Sequence, residues 1–234
     1  MFNPALNIAA LTAAFNSRRR LQIQNVLEIE IANGLHECLI TKVPWEFACR
    51  REGREVVLSQ QDLKSMTAAA HGALAQQIIE GARRQFQFAF SKYSMVDAYR
   101  RGTMPDPRLT AMLEMLASQP TIDFIRAITG DNGIMRVDAQ ATLYDAGNFL
   151  KLHNDAEYDG LPRRFAYVLN LGRDWQADWG GLLLFHDEAG NVIDTFVPHF
   201  NSLSLFAVPA LHSVSFVAPY ALQPRLAITG WFTS

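Results

Sequence analysis

Three side chains suited to holding a metal ion stand in the second half of the chain: His153 and Asp155, one residue apart, and His212 farther on. On a strand, residues i and i+2 point to the same face. His153 and Asp155 are therefore expected to project together while Asn154 points away. His212 follows the apolar run 203–208 and a turn at Pro209-Ala210. If the strands close into a barrel, it comes opposite the first pair. Two imidazoles and one carboxylate on one face of an ion leave its other positions open, and that donor set is diagnostic of non-haem iron(II) oxygen chemistry. A chelating co-substrate fills two open positions and O₂ the third. His-x-Asp alone is a weak signal, and its force comes from the partners downstream. His199 is a rival third ligand, but it precedes the apolar strand rather than following it. His186 falls in a hairpin turn, and His36 and His71 fall on expected helices, away from any metal.

Arg225 opens the run 225–232 after Pro224. An arginine facing an apolar barrel needs an anionic partner, because an unpaired buried charge is costly. A dicarboxylate co-substrate supplies that anion, gripped by two parallel charge-assisted hydrogen bonds of about 1.5 to 3 kcal/mol each. Thr229, at i+4, faces the same side and offers a hydroxyl. Trp231, at i+6, is expected to wall the metal pocket. The segment between His212 and Arg225 holds Pro219 and Pro224, so a turn there bears on the register of the arginine.

These residues need a β scaffold, and the texture after Gly133 supplies one. Short β-type runs are expected at 134–145, 149–154, 164–171, 181–186, 191–197, 201–207, 212–218 and 225–233, a pattern of sandwiches and barrels. Gly180-Gly181 reads as a bend. The first half is mixed and helix-rich. A helix over 4–17 is expected to start at Asn3-Pro4 and to turn Leu6, Ala9, Ala10, Ala13 and Ala14 inward. A strand at 21–27, a helix at 29–41 and a hairpin of 45–49 with 55–58 follow. One long helix is expected over 61–85, with Leu74, Ile78, Ala82 and Phe86 on its core face. The run 86–90 switches to a period of two and is either the helix end or a strand. Residues 91–106 read as a surface excursion, and helices close the half at 107–117 and 120–129.

Composition bounds the rest. The 234 residues are 49% apolar and 19% charged, enough for a sizeable core, and the net charge of -2 gives no basic excess for a nucleic acid. Arg18-Arg19-Arg20 reads as a solvated helix end. Two cysteines, Cys38 and Cys49, are too few for a disulfide framework and suit a reducing compartment, the cytoplasm. Charge order at the N-terminus argues against a secretory signal, and no apolar run is long enough for a membrane span. Phosphate-loop, nucleophile-elbow and dinucleotide fingerprints are missing.

The segment 144–155, with Tyr144, a turn at Gly147 and a strand ending in His153-Asn154-Asp155, resembles the 2-oxoglutarate/iron(II) oxygenase superfamily, in particular its prolyl 4-hydroxylase-like branch. Tyr167-Val168-Leu169-Asn170 with Trp175, the run 180–185, His212-Ser213-Val214 and the run 225–232 follow in the fitting order. The resemblance covers about 134–234. It implies an α+β fold, a double-stranded β-helix (jelly-roll) barrel with N-terminal helices packed against it. It implies iron(II) at His153, Asp155 and His212, and 2-oxoglutarate at Arg225 with Tyr167 or Thr229 assisting and Tyr144 close by. The implied reaction hydroxylates an unactivated C–H bond with O₂, releasing succinate and CO₂, with ascorbate as reductant. A prolyl residue, a peptide or a free amino acid is the implied substrate. Residues 1–133 are expected to support the barrel and contribute to substrate binding, and 134–234 to form the catalytic core, together one globular domain. Two other readings stay open: a cupin-like metal protein that uses no 2-oxoglutarate, and a non-catalytic interaction domain.

Overall fold

The central strands alternate residues between two buried environments, and that alternation decides what reaches the site. The computed structural model describes residues 2–156 and 162–234. Among them one sheet, antiparallel throughout, curls into the double-stranded β-helix. One half contains β1 (Arg20–Gln24), β6 (Gln140–Tyr144), β8 (Arg163–Asn170), β11 (Ser202–Ala207) and β13 (Arg225–Thr233). The other contains β7 (Phe149–His153), β9 (Leu183–His186), β10 (Val192–Phe196) and β12 (His212–Val214). β4 (Phe88–Ser94) joins the halves, pairing with β6 through Ser91–Ser94 and with β7 through Phe88 and Ala89. β2 (Glu46–Arg51) pairs with β4, and β3 (Arg54–Leu58) with β2. The short β5 (Arg136–Val137) pairs with the end of β13.

The outer face of β8, β11 and β13 carries Phe165, Tyr167, Leu169, Leu203, Leu205, Leu226, Ile228 and Phe232. Five helices supply the other side of this core: α1 (Ile8–Arg18), α2 (Ile29–Thr41), α5 (Met95–Arg101), α6 (Pro107–Ala117) and α7 (Gln119–Thr129). Phe15, Leu35, Met95, Leu109 and Ile125 are among their fully buried contributions. Each such side chain stabilises the fold by about 1.5 to 3 kcal/mol. The inner face carries Ala166 and Phe206, which meet Leu183, Phe185 and Phe196 from β9 and β10.

Several expectations change at the N-terminal half. The first helix starts at Ile8, not at Pro4, because the Asn7 side chain accepts from Ala10 N and caps it there. Asn3 instead makes a local turn, accepting from Ala5 N. The alanine stripe is exposed, and Phe15 is the residue driven inward. The long helix over 61–85 is two: α3 (Gln60–Ser65), held by a capping box between Ser59 and Asp62, and α4 (Ala68–Arg84), capped by Thr67. Leu74 and Ile78 are buried as expected. The run 86–90 enters a strand at Phe88, and 91–106 is no surface excursion. It holds the end of β4 and α5 (Met95–Arg101), with Tyr93 and Met95 buried. Strand 134–145 is interrupted between β5 and β6, where Asp138 N donates to the Trp231 carbonyl. No helix among the described residues is long and apolar enough to cross a membrane.

Candidate metal centre

β7 ends at His153 and β12 begins at His212, and the two residues are direct cross-strand partners. Their rings stand 4.1 Å apart between centroids. Asp155 lies beyond the strand, so strand alternation does not deliver it. A left-handed backbone turn at Asp155 (φ 58°) brings its carboxylate round, a conformation Asp tolerates better than most residues. Its Oδ1 lies 3.4 Å from His153 Nε2, and its Oδ2 lies 3.5 Å from His212 Nε2. Ligand bonds of about 2.1 Å place neighbouring donors about 3 Å apart, so modest contraction seats an ion. One donor atom from each residue lies within 4.8 Å of the others.

Protonation is arranged for the same end. His153 Nδ1 donates to the Lys151 carbonyl (2.9 Å), and His212 Nδ1 donates to the Ala210 carbonyl (2.8 Å). Each bond fixes the tautomer that leaves Nε2 as the donor to metal. Burial, with His153 beside it, lowers the His212 pKa to about 4. Burial alone would raise the Asp155 carboxyl, but the hydrogen bond with His153 and the nearby imidazoles bring it down to about 2. At neutral pH the trio offers a neutral imidazole at 212 and a carboxylate, the forms a metal requires. Trp231 Nε1 donates to Asp155 Oδ2 at 2.9 Å, and the Arg163 guanidinium lies 3.5 Å over the Trp231 ring and 3.7 Å from Asp155 Oδ1.

Arg225 starts β13 as the cross-strand partner of Tyr144 and is 3% exposed. Its guanidinium sits 5.1 Å over the Tyr144 ring, and Phe90 stacks on that ring at 4.9 Å. Nη2 reaches Asn170 Oδ1 at 3.5 Å, the outer limit of a hydrogen bond, and Nε has no partner. Among the described residues no carboxylate forms an ion pair with it. Burial pushes its pKa below the usual arginine value. Such a cation demands an anion. Gly180-Gly181 makes the expected bend here: a Cβ on Gly180 (φ 71°) would lie 2.0 Å from the Phe216 carbonyl oxygen. Both the metal trio and Arg225 line one cavity of about 410 Å³.

The family model for the 2OG-Fe(II) oxygenase superfamily matches residues 139–233. These residues, less than half of the chain, are thus similar to the 2-oxoglutarate/iron(II) oxygenases. The prolyl 3-hydroxylase OGFOD1 of Xenopus laevis is 35% identical over 103 residues, which are 41% of this chain and 19% of that protein. The chain thus matches about a fifth of that relative's length. A Pseudomonas putida prolyl-4-hydroxylase superposes with a TM-score of 0.59 at 18% identity, covering 97% of this chain and 98% of its own. A Trichoplax adhaerens prolyl hydroxylase, solved with a hypoxia inducible factor oxygen degradation domain peptide, gives 0.58 at 15%, covering 97% and 88%. At such identities the structural likeness speaks for the fold.

The chemistry of this superfamily fits the residues present: three donors on one side of an ion site and an unneutralised guanidinium in the same cavity. Thr229 and Trp231 face that cavity with Arg225, as their spacing implies. Tyr144 borders it beside the guanidinium. Tyr167 also borders the cavity, from a side chain anchored in the core. Its ring packs on Phe232 in the helix-side core, and its hydroxyl donates to the Asp138 carbonyl at 2.9 Å. The inward positions of β8 are its neighbours Ala166, Val168 and Asn170. His199 is exposed, His186 bonds Ser213 Oγ, and His36 and His71 bond the Leu171 and Leu63 carbonyls, all outside the trio. Sequence reading missed Arg163 and Arg50, which line the cavity, and Asn170, which meets Arg225. Asn170 sits opposite Ala227, two residues from Arg225, a signal that emerges only once β8 and β13 are registered.

Proposed function

We propose that this chain is an iron(II)- and 2-oxoglutarate-dependent dioxygenase that hydroxylates an unactivated C–H bond of a prolyl residue in a peptide or protein. The observation that carries the reading is one cavity holding both a three-donor metal site and a buried guanidinium without an anion. His153, Asp155 and His212 hold the iron on one side and leave the rest of its coordination open. Arg225 grips the far carboxylate of 2-oxoglutarate, and Thr229 supplies a hydroxyl on the same strand face. Tyr144, under Phe90, bounds that end and orients the guanidinium. Trp231 fixes one Asp155 oxygen so that the carboxylate keeps its angle to the ion. Phe88, Phe206 and Val168 line the cavity and exclude water. With both groups bound, the centre couples conversion of 2-oxoglutarate and O₂ to succinate and CO₂ with insertion of oxygen into a C–H bond.

The prolyl assignment rests on the names of the relatives, a prolyl 3-hydroxylase by sequence and prolyl hydroxylases by fold. Ascorbate is the reductant expected to keep the iron in its ferrous form. A reducing, cytoplasmic setting agrees with two buried free thiols, Cys38 and Cys49. The test is succinate formation from 2-oxoglutarate with iron(II) and ascorbate, against proline-containing peptides and free amino acids. We expect peptide-stimulated succinate in the wild type and none in Asp155→Ala. Turnover retained in Asp155→Ala refutes the ligand set, and activity independent of 2-oxoglutarate and unaltered in Arg225→Ala marks a cupin-like metal protein instead.

A further inference from the structure

Four arginines among the described residues bury a guanidine Nε without a hydrogen-bond partner: Arg50, Arg126, Arg173 and Arg225. Only Arg50 and Arg225 also line the metal cavity. Arg225 lies against Tyr144 and Asn170, whereas Arg50 lies against Phe86 and Gly53. The Arg50 guanidinium stands 5.5 Å from the Phe86 ring centre, and Phe86 in turn stands 5.7 Å from the His153 ring. Arg50 therefore belongs to the metal's flank of the cavity.

Its local setting keeps the charge available. Glu55 is the cross-strand partner of Arg50 and the natural counter-ion, yet its carboxylate binds Lys92 instead. No carboxylate pairs with Arg50 among the described residues, and one Nη donates to the Gly53 carbonyl. The backbone of Arg50 is clamped on both sides. Gln87, 1% exposed, accepts from Arg50 N and donates to Arg50 O, each at 2.9 Å. That clamp continues the ladder past Cys49 and Ala89, where regular β2–β4 pairing ends. A long flexible cation is thus held on a rigid base, turned into a cavity and given no anion.

We infer that Arg50 is a substrate-binding, specificity-determining residue that takes a carboxylate carried by the substrate near the carbon to be oxidised. The inference rests on the proposed oxygenase reading. It makes the preferred substrate an acidic polypeptide segment, with an Asp or Glu side chain close to the target proline. Planar guanidinium suits a carboxylate, which it meets through two N–H groups.

The probes are short proline-centred peptides with blocked ends, differing only in Asp or Asn at successive positions on either side of the proline. Binding is measured anaerobically by calorimetry to protein loaded with iron(II) and 2-oxoglutarate, whose loading is measured first. In the wild type, one Asp position should bind at least about tenfold more tightly than its Asn twin, a difference of about 1.4 kcal/mol. Arg50→Gln should bring that ratio to about one, and Arg50→Lys should restore part of it. Melting temperature of the loaded variants reports that they are folded. The inference is overturned if no Asp–Asn pair differs in the wild type, binding of none included, or if the ratio persists in Arg50→Gln. Failure of iron or 2-oxoglutarate to load defeats the oxygenase reading instead, a separate result.

Discussion

Each imidazole of the trio is aimed by a carbonyl two residues earlier on its own chain, Lys151 for His153 and Ala210 for His212. The carboxylate lacks such a local device and depends on Trp231, 76 positions away in sequence. This makes Trp231→Phe a sensitive probe. The position stays aromatic, but the indole N–H to Asp155 Oδ2 is lost, and the stacking surface under Arg163 shrinks. Iron(II) affinity, measured by anaerobic titration, should weaken about 10- to 100-fold, as for loss of other outer partners of a ligand. Unchanged affinity would show that the backbone turn at Asp155 orients the carboxylate unaided. Residue types and order were enough to single out His153, Asp155, His212 and Arg225. The left-handed turn at Asp155 was not legible, because alternation on an extended strand gave the same facing by a different route. Arg50 and Asn170 escaped because their roles depend on which distant strands lie beside them.

Helices bounded by clear breaks in the apolar pattern were legible. The expected helices at 29–41 and 107–117 coincide with Ile29–Thr41 and Pro107–Ala117. Where two caps competed, as Asn3 with Asn7, the wrong one was chosen, and a second cap at Thr67 inside an apolar run went unseen. Asp106 shows how much one cap carries. It accepts from Arg108 N at the start of α6 and holds the Arg108 guanidinium through both carboxylate oxygens. Those bonds lower its pKa to about 2 against the burial that opposes them. The folded pKa is depressed, so its stabilisation is present in full above the unfolded carboxylate value near 4. It then fades as pH falls through about 2. Asp106→Ala should cost about 1 to 2 kcal/mol at pH 7 by urea titration. The gap from wild type should narrow below about pH 4. A gap that is flat across that range would mean that the charge adds nothing to the cap.

At the scale of the molecule, the sequence showed a β-rich second half and its barrel class, but not that the first half contributes strands to the same sheet. β1 lies along β11, and β4 separates β6 from β7. The period-two run at 86–90 hinted at this, but pairing between segments some fifty residues apart has no local signature. A fragment of residues 134–234 should therefore fail to unfold cooperatively in thermal circular dichroism. It would leave β6 and β7 with bare edges and expose Phe165, Leu169 and Ile228 to water. A sharp transition in that fragment would contradict this view. The seam at β4 has a further consequence. Tyr144 and Arg225 sit on one side of it and His153 and His212 on the other, so a strand with no chemistry of its own sets the distance between the diacid's anchor and the ion's anchors. Lengthening or slipping that splice by a single residue would leave every ligand intact and still uncouple the two ends of the reaction.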